Sequence, residues 1–509
     1  MSARDNSAMP NGARAFSSRL RIAATILVVS VLSCTDLHND PVGLITPEQI
    51  STKPTINSVR LSVTSSYQML ASTLNLLNEW RWDLGTVFRD DFIVSDIASD
   101  DVQKKWNPDG DQAWMDQVQS FNFTASNQAF NGQWSYDYEG ISRSNLAISY
   151  LTDPTISAKT GIDAALKDRL LGEVYFLRAF YYFDLVNNFG DVPLLLKPLQ
   201  NFAEAYSVAK RESKDKVYAQ ISADLAQAKT LLPNSRRSDP AEPWRASRGA
   251  VLAMQAKVAL YSGKWAEVIT IVNELEATNF YTLNARYFDA FAVATEATET
   301  EVIFAYDHQS GKNPRNGNGL CAPLDWGFIA PTANFLAEFE PNDPRRAYTV
   351  NVADKAVYKL LGATNTQYKG NDDAPSNKIY IRLADVLLWK AEAYNETGAP
   401  RQAIAIINTI RARARNGVMI DGTMAPAGTL PDRNTGSTDK AQIMAWIIHE
   451  RRVELGFESQ RFNDLKRWKL AKSVLSAVGK NFQDRNYLYP IPQGEIDKSG
   501  GSITQNPGY

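Results

Sequence analysis

Six tryptophans, Trp80, Trp82, Trp106, Trp114, Trp244 and Trp326, stand in stretches that read as loops, and Arg81, Asp83 and Asn318 stand in the same kind of sequence. A sugar ring has an apolar C–H face that packs on an indole and a hydroxyl rim that binds Asp, Asn and Arg. Loops carrying these residue types are what a glycan cleft needs. Trp80, Trp82, Asp83, Trp106, Trp114, Asn318 and Trp326 are therefore the candidate ligand-binding residues. The competing reading is that these rings pin irregular loops onto a scaffold.

Catalytic and metal chemistry leaves weaker traces. The chain contains no GxSxG, no HExxH and no GxxxxGK[ST]. Gly317, Asn318, Gly319 and Ala322 fit GxGxxA, but Pro323 follows at once, so no helix N-terminus is available for a pyrophosphate. Three histidines, His38, His308 and His449, are scattered, and read as exposed or satisfied in a core. Asp90/Asp91 and Asp100/Asp101 could supply an acid–base pair, although adjacent carboxylates usually form solvated faces or turn caps. Asn107, Asp109 and Asp111 alternate like part of a calcium loop without its distal Glu. No cofactor is expected.

The elements that would carry these loops are mostly helical. A helix is expected from Val59 to Leu77. Trp134, Tyr138, Ile141 and Asn145 follow helical spacing, and Leu170–Asn188 is aromatic almost all round, hence buried. Tyr218, Ile221, Leu225, Ala228 and Leu232 form a stripe stopped by Pro233. Ala256, Gly263, Ile271 and Asn273 recur 135 residues later as Ala391, Gly398, Ile406 and Asn408. Small residue, aromatic, glycine turn and second helix make a tetratricopeptide-like hairpin, which must stack on others to bury its face. Trp265, Trp389, Trp446 and Trp468 fall in helices and read as core. Residues 280–378 lose periodicity, as a long functional insertion does.

Bulk properties set the class. The chain has 509 residues, enough for two to four domains by length alone, and a net charge of −2, with a pI near 6.1. Nothing in that balance calls for nucleic acid. Arg14, Arg19 and Arg21 precede an apolar run, Ile22–Leu32, that is short for a membrane span and ends at Ser33 and Cys34. This is a signal peptide, and the cysteine makes it resemble a lipoprotein signal with acylation at Cys34. Asp36 and Asp40 resemble a surface-export signal.

Trp446–Leu470 packs Glu450, Arg451, Arg452, Glu454, Glu458, Arg461, Asp464 and Arg467 among large apolar residues, as two amphipathic helical pieces. Glu454 with Glu458, and Arg461 with Asp464, are spaced to share a helix face. Charges so placed lie half buried and need partners. The order ERRxELxFExxRFxDLxRW resembles the C-terminal signature of the SusD/RagB family of outer-membrane nutrient-binding lipoproteins. The terminal segments around Tyr487–Asp497 and Thr504–Tyr509, and the stretch Phe189–Leu196, are similar to that family as well.

The resemblance implies a mainly α fold, a tetratricopeptide-like helical-hairpin solenoid with a divergent, loop-rich C-terminal half. It divides the chain into a lipoprotein signal peptide (1–33), a tether (34–55), an N-terminal helical region (56–279) and a C-terminal domain (280–509), the last with the irregular insertion 280–378 and a hairpin at 379–416. It implies a non-catalytic protein, lipid-anchored in the outer membrane and facing the exterior. Such a protein captures a glycan or oligopeptide for a SusC-like TonB-dependent transporter. Two other readings stay open, a helical-repeat scaffold that contacts only proteins, and a glycoside hydrolase built on the Asp90/Asp91 region.

Overall fold

Helices in this protein start where the sequence offers a cap. In the computed structural model, which describes residues 52–509, helix α1 (Ile56–Tyr67) opens on a capping box between Thr55 and Ser58. Strand β1 (Val102–Gln103) and helix α2 (Ala113–Ser120) follow. The long helices α3 (Gln128–Thr152), α4 (Ala164–Phe189) and α5 (Lys214–Leu231) start on Asn127, Asp163 and Ser213, whose side chains accept from first-turn amides. Then come α6 (Arg248–Tyr261), α7 (Trp265–Ala277), β2 (Val302–Tyr306), β3 (Ala330–Pro331), β4 (Val350–Asn351), β5 (Ala356–Val357) and β6 (Lys378–Arg382). Helices α8 (Leu383–Glu396), α9 (Pro400–Arg415), α10 (Lys440–Leu455) and α11 (Arg461–Arg467) complete the scaffold. The fold is mainly α. Among the described residues six strands form three two-stranded antiparallel ribbons, β1–β3, β2–β6 and β4–β5.

The helices stack in chain order as hairpins. α3 packs on α4, α4 on α5, α5 on α6, and α6 on α7. The two halves of the 135-residue repeat are α6–α7 and α8–α9, and α7 packs directly on α8, so the copies are neighbours in space as well as in pattern. Gly263 and Gly398 turn each hairpin at φ +67° and +78°. Neither glycine has any atom near where a Cβ would sit, so glycine serves the left-handed backbone there and not close packing. Ala391, Ala403, Ile404, Ile407, Ile443 and Ile447 seal α8, α9 and α10 into one fully buried apolar cluster.

α1 is shorter than its sequence predicts. It ends at Tyr67, a 3₁₀ turn runs to Leu70, and Ala71 is extended. Beyond it the Ser72 amide donates to His308, the Ser72 carbonyl accepts from Gly319, and Thr73 donates to the Gly317 carbonyl. These tertiary bonds replace the helical ones. The glycine-rich loop they meet is packed tightly, since a Cβ on Gly319 would lie 2.5 Å from Leu74.

The charged signature forms a buried lattice. α10 stops at Leu455, so Glu458 lies in the following turn and not on the helix face of Glu454, yet both carboxylates reach Arg382 at 2.7 Å. Arg382 also meets Glu301 at 2.7 Å, Arg345 meets Glu450 and Glu454, and Arg413 meets Glu301 and Glu454. Burial opposes the charge of Glu454, but the Arg413, Arg382 and Arg345 guanidiniums hold its carboxyl well below the usual range. The terminal motif is a staple. The Asn506 amide donates to the carbonyls of Phe189 and Tyr489, which joins the end of α4 to both C-terminal segments.

Trp389 is fully buried, whereas Trp265, Trp446 and Trp468 are half-buried rather than core. Residues Thr55–Tyr509 make up one compact unit. Among the described residues no helix is long and apolar enough to cross a membrane. The signal segment, Cys34 and the start of the tether lie outside the described residues.

Candidate ligand-binding site

The site hangs from the ion lattice. Arg452 binds Asp101 at 2.6 Å and Asp100 at 2.9 Å, and Arg461 binds Asp100 at 2.9 Å. The Asp101 and Asp100 carbonyls accept from the Thr332 amide and hydroxyl. These bonds fix the β1–β3 ribbon, in which Val102 pairs with Pro331 and Gln103 with Ala330. The ribbon brings the Trp106 loop against the Trp326–Phe328 turn, where the Trp106 amide donates to the Gly327 carbonyl at 3.2 Å.

A second support holds the Trp82 loop. Gly85 and Gly132 of α3 touch backbone to backbone, since a Cβ on Gly132 would lie 2.1 Å from the Gly85 carbonyl oxygen. The Asn131 side chain donates to the Leu84 carbonyl beside it. This contact presses the loop onto the scaffold and leaves Trp82 half-buried.

The two supports converge on an aromatic shelf. The Trp82 and Trp326 rings lie 5.9 Å apart at 58°, resting on Phe328 (6.3 and 5.7 Å) and, for Trp82, on Phe88 (5.7 Å). Trp82 is half-buried and Trp326 is 38% exposed. Trp80 is 47% exposed, has no ring partner among the described residues, and is held at φ +48° with its amide on the Asn75 side chain. A bulky residue in that conformation is costly and recurs at ligand clamps. Arg81 and Asp83 pair at 2.7 Å on the exposed edge of the same loop. The Lys105 ammonium lies 4.6 Å over the Phe328 ring. The shelf thus combines flat apolar faces with a polar rim.

The candidates therefore separate. Trp82, Trp326 and, through Gly327, Trp106 come together, with Trp80 and Asp83 on the same loop as Trp82. Trp114 does not join them. It lies in α2, not in a loop, with its ring buried and its indole N–H on Gln112 at 2.7 Å. Asn318 is buried too, its amide donating to the Ser376 carbonyl and hydroxyl and its oxygen accepting from the Leu320 amide. It faces an interior cavity of about 120 Å³ instead of the shelf. Trp244 lies on a different cleft. Sequence reasoning missed Phe328 and Phe88 as the floor. Phe328, two residues after Trp326, was the available signal.

The catalytic alternatives fare differently from expectation. Asp90 and Asp91 are buried, not solvated. Asp91 takes Lys378 on both oxygens at 2.7 and 2.6 Å and Arg89 at 3.1 Å, while neither Asp90 oxygen has a hydrogen-bond partner among the described residues. Burial pushes the Asp90 carboxyl up, and the same burial on Asp91 is outweighed by Lys378 and Arg89. They form no open acid–base pair. Asp100 and Asp101 are equally enclosed. The Lys105 ammonium pairs with Asp109 and lies 3.8 Å from Asp111. No group of acidic, histidine or cysteine side chains among the described residues is arranged to hold a metal. Burial pushes His308 down to about 3, and it serves the Ser72 amide. Burial works against the charge on His449, but Glu338 and Glu340 raise it to about 9.

Two family profiles match the chain, one described as the SusD family over residues 340–484 and one as starch-binding associating with outer membrane over residues 51–260. A SusD-like protein of Formosa agariphila is 27% identical over 544 residues, which cover 96% of this chain and 100% of that one. A SusD-like protein of Bacteroides ovatus is 23% identical, over 80% of this chain and 76% of its own. Among solved structures, surface glycan-binding protein A from Bacteroides fluxus superposes with a TM-score of 0.71 at 24% identity, covering 89% of this chain and 100% of that one. Surface glycan-binding protein A from Bacteroides thetaiotaomicron, solved with laminarihexaose, gives 0.70 at 22% identity over 89% and 99%. The profiles, the relatives and the shared helical fold agree with the motifs at Phe189–Leu196 and between Trp446 and Tyr509: the chain belongs to the SusD/RagB family.

Proposed function

We propose that this protein binds a glycan on the Trp82–Trp326 shelf at the cell surface and passes it, uncleaved, to a SusC-like TonB-dependent transporter. The carrying observation is that two partly exposed indoles, far apart in the chain, meet at 5.9 Å on an aromatic floor with charged groups at the rim. Stacked sugar faces need such rings, and hydroxyls need such a rim. In this reading residues 56–279 supply Trp82 and residues 280–509 supply Trp326, so the site is shared by both parts of the chain. A lipid on Cys34 would hold the body at the outer membrane. The match to a family of starch-binding proteins associating with outer membrane, and the likeness in fold to surface glycan-binding proteins, support the reading.

The test is isothermal titration of the full chain against laminarihexaose and a panel of other oligosaccharides, with chromatography of the sugars afterwards. Saturable binding of one glycan, with that glycan recovered intact, is expected. Release of shorter products would overturn the capture role.

A further inference from the structure

The interior cavity of about 120 Å³ beside Asn318 lies between α4, α6, β6 and the turn that joins α10 to α11, and contains none of the shelf residues. It has room for about four waters or one ring-sized molecule, and is too small for an oligosaccharide or a peptide. Along α4 from Phe176 to Phe189 only Phe180, Asp184 and Asn187 escape full burial, and all three line this cavity. Their spacing puts them on one helix face, as it does Lys257 and Tyr261 of α6, which line the cavity too. Solvent therefore reaches into the middle of the helical stack.

Most charges on the wall are matched. Lys378 pairs with Asp91 at 2.6 Å, Lys359 with Glu458 at 2.7 Å, and Asp184 with Arg89 at 2.5 Å. Asp96 accepts from the Ser459 amide and hydroxyl at 3.1 and 2.8 Å, and burial pushes its carboxyl up to about 7. Lys257 is the exception. It makes no ion pair among the described residues, and its hydrogen bond to Gln460 is long, at 3.4 Å. Asp385, Asp184 and Asp464 act on it from a distance, but they are bound by Arg451, Arg89 and Arg467, and Arg451 itself opposes the ammonium. Burial lowers the Lys257 pKa, as it does for a charge short of a counter-ion.

Two neutral groups stand with it. The Tyr261 hydroxyl, one turn along α6, and the Asn463 amide on α11 line the cavity and have no hydrogen bond among the described residues. An ammonium, a hydroxyl and a carboxamide can all donate to one oxyanion. Phe180, Phe183, Met254 and Phe291 make much of the remaining wall apolar. Phe457 and Ser459, also on the wall, are held at φ +65° and +58°. Side-chain-bearing residues kept in that conformation cost energy and recur at ligand clamps.

We infer that this cavity takes a small organic monoanion, a carboxylate on an apolar body about the size of one ring, with the carboxylate on Lys257 assisted by Tyr261 and Asn463. The unmatched ammonium sets the sign of the ligand, and the aromatic and methionine wall sets its body. Such a ligand would touch α4, α6 and the charged C-terminal signature at once. The assignment does not depend on what the shelf binds.

Isothermal titration of the full chain with sodium benzoate tests it. Benzyl alcohol, which keeps the ring without the charge, and acetate, which keeps the charge without the ring, are the controls. We expect saturable binding of benzoate at one site, and binding about tenfold weaker or less for either control. Lys257→Met keeps the length and apolar stem of the side chain and should weaken benzoate at least tenfold, through loss of the charge-assisted contact. Tyr261→Phe removes only the hydroxyl and should weaken it about fivefold. Both variants should keep the wild-type glycan affinity. Without benzoate, Lys257→Met should melt at or above the wild-type temperature, because an unmatched enclosed charge is gone. A lower melting temperature, or a failure to fold, would make Lys257 a structural residue and overturn the assignment. No binding of benzoate at up to about 10 mM, equal binding of benzyl alcohol or acetate, or undiminished binding in the two variants would each overturn it as well.

Discussion

The arginine–carboxylate lattice beneath α10 and the aromatic shelf are both assembled from distant parts of the chain, yet they handle water in opposite ways. In the lattice, Arg345, Arg382, Glu450 and Glu454 are essentially fully buried and each charge is met by several partners. On the shelf, Trp80 and Trp326 keep more than a third of their surface in solvent. The first arrangement costs desolvation and returns a fixed geometry. The second leaves apolar area exposed, and its reward must come from a partner that covers it. The two are joined through Arg452, Arg461 and the Asp100–Asp101 pair, so the lattice positions the shelf without touching what the shelf would hold.

That division can be broken at its strongest point first. Arg382→Ala removes the one cation shared by Glu301, Glu454 and Glu458 and leaves buried carboxylates short of a partner. We expect a loss of about 3–5 kcal/mol in chemical denaturation. Arg452→Met sharpens the link between the regions. Asp100 keeps Arg461 while Asp101 keeps only a distant contact to it, at 3.9 Å. The stability loss should be about 1.5–3 kcal/mol, and glycan affinity should fall although Arg452 lies under the shelf's support and not at its surface.

The smallest effect has the opposite sign. Asp90 is buried with no hydrogen-bond partner among the described residues, and burial raises its carboxyl well above the usual range. An acid whose folded pKa is raised costs nothing while both states are protonated. Folding stability is then lost as pH rises above the unfolded value of about 4, because the unfolded chain ionises more readily. Asp90→Asn should therefore melt about as the wild type does near pH 4 and above it at pH 7, by about 1 kcal/mol of stability. A variant less stable than wild type at pH 7 would mean that the Asp90 charge is compensated.

Much of the scaffold was legible in the sequence because its signals are local or repeated. Gly263 and Gly398 mark their turns by backbone angle alone, and the 135-residue offset exposes the stacked hairpins. The signature around Glu450–Arg467 was legible as charges needing partners, but the partners Asp100, Glu301 and Arg345 come from remote segments that no spacing reveals. The site was legible only in part. Trp114 and Trp326 stand in similar-looking sequence, and what separates them is that one ring sits on the buried side of α2 while the other follows a short helix ending at Asp325 and stays 38% exposed. Asn318 looked like a hydroxyl-binding group, whereas Ser376 and Leu320 use both ends of its amide. Asp109 and Asp111 looked like half of a cation site, and the cation was Lys105, four residues before Asp109.

The most direct test of the shelf compares three rings in one experiment, with glycan affinity by titration and stability by thermal melting measured on Trp82→Ala, Trp326→Ala and Trp114→Ala. Trp82→Ala and Trp326→Ala should each weaken binding about tenfold or more, as loss of a central aromatic contact does, in a chain that still melts cooperatively. Trp114→Ala should cost about 3–5 kcal/mol of stability as a buried cavity, with affinity of the folded fraction unchanged. Full affinity in the Trp82→Ala and Trp326→Ala variants, or loss of binding only in Trp114→Ala, would contradict the shelf as the glycan site.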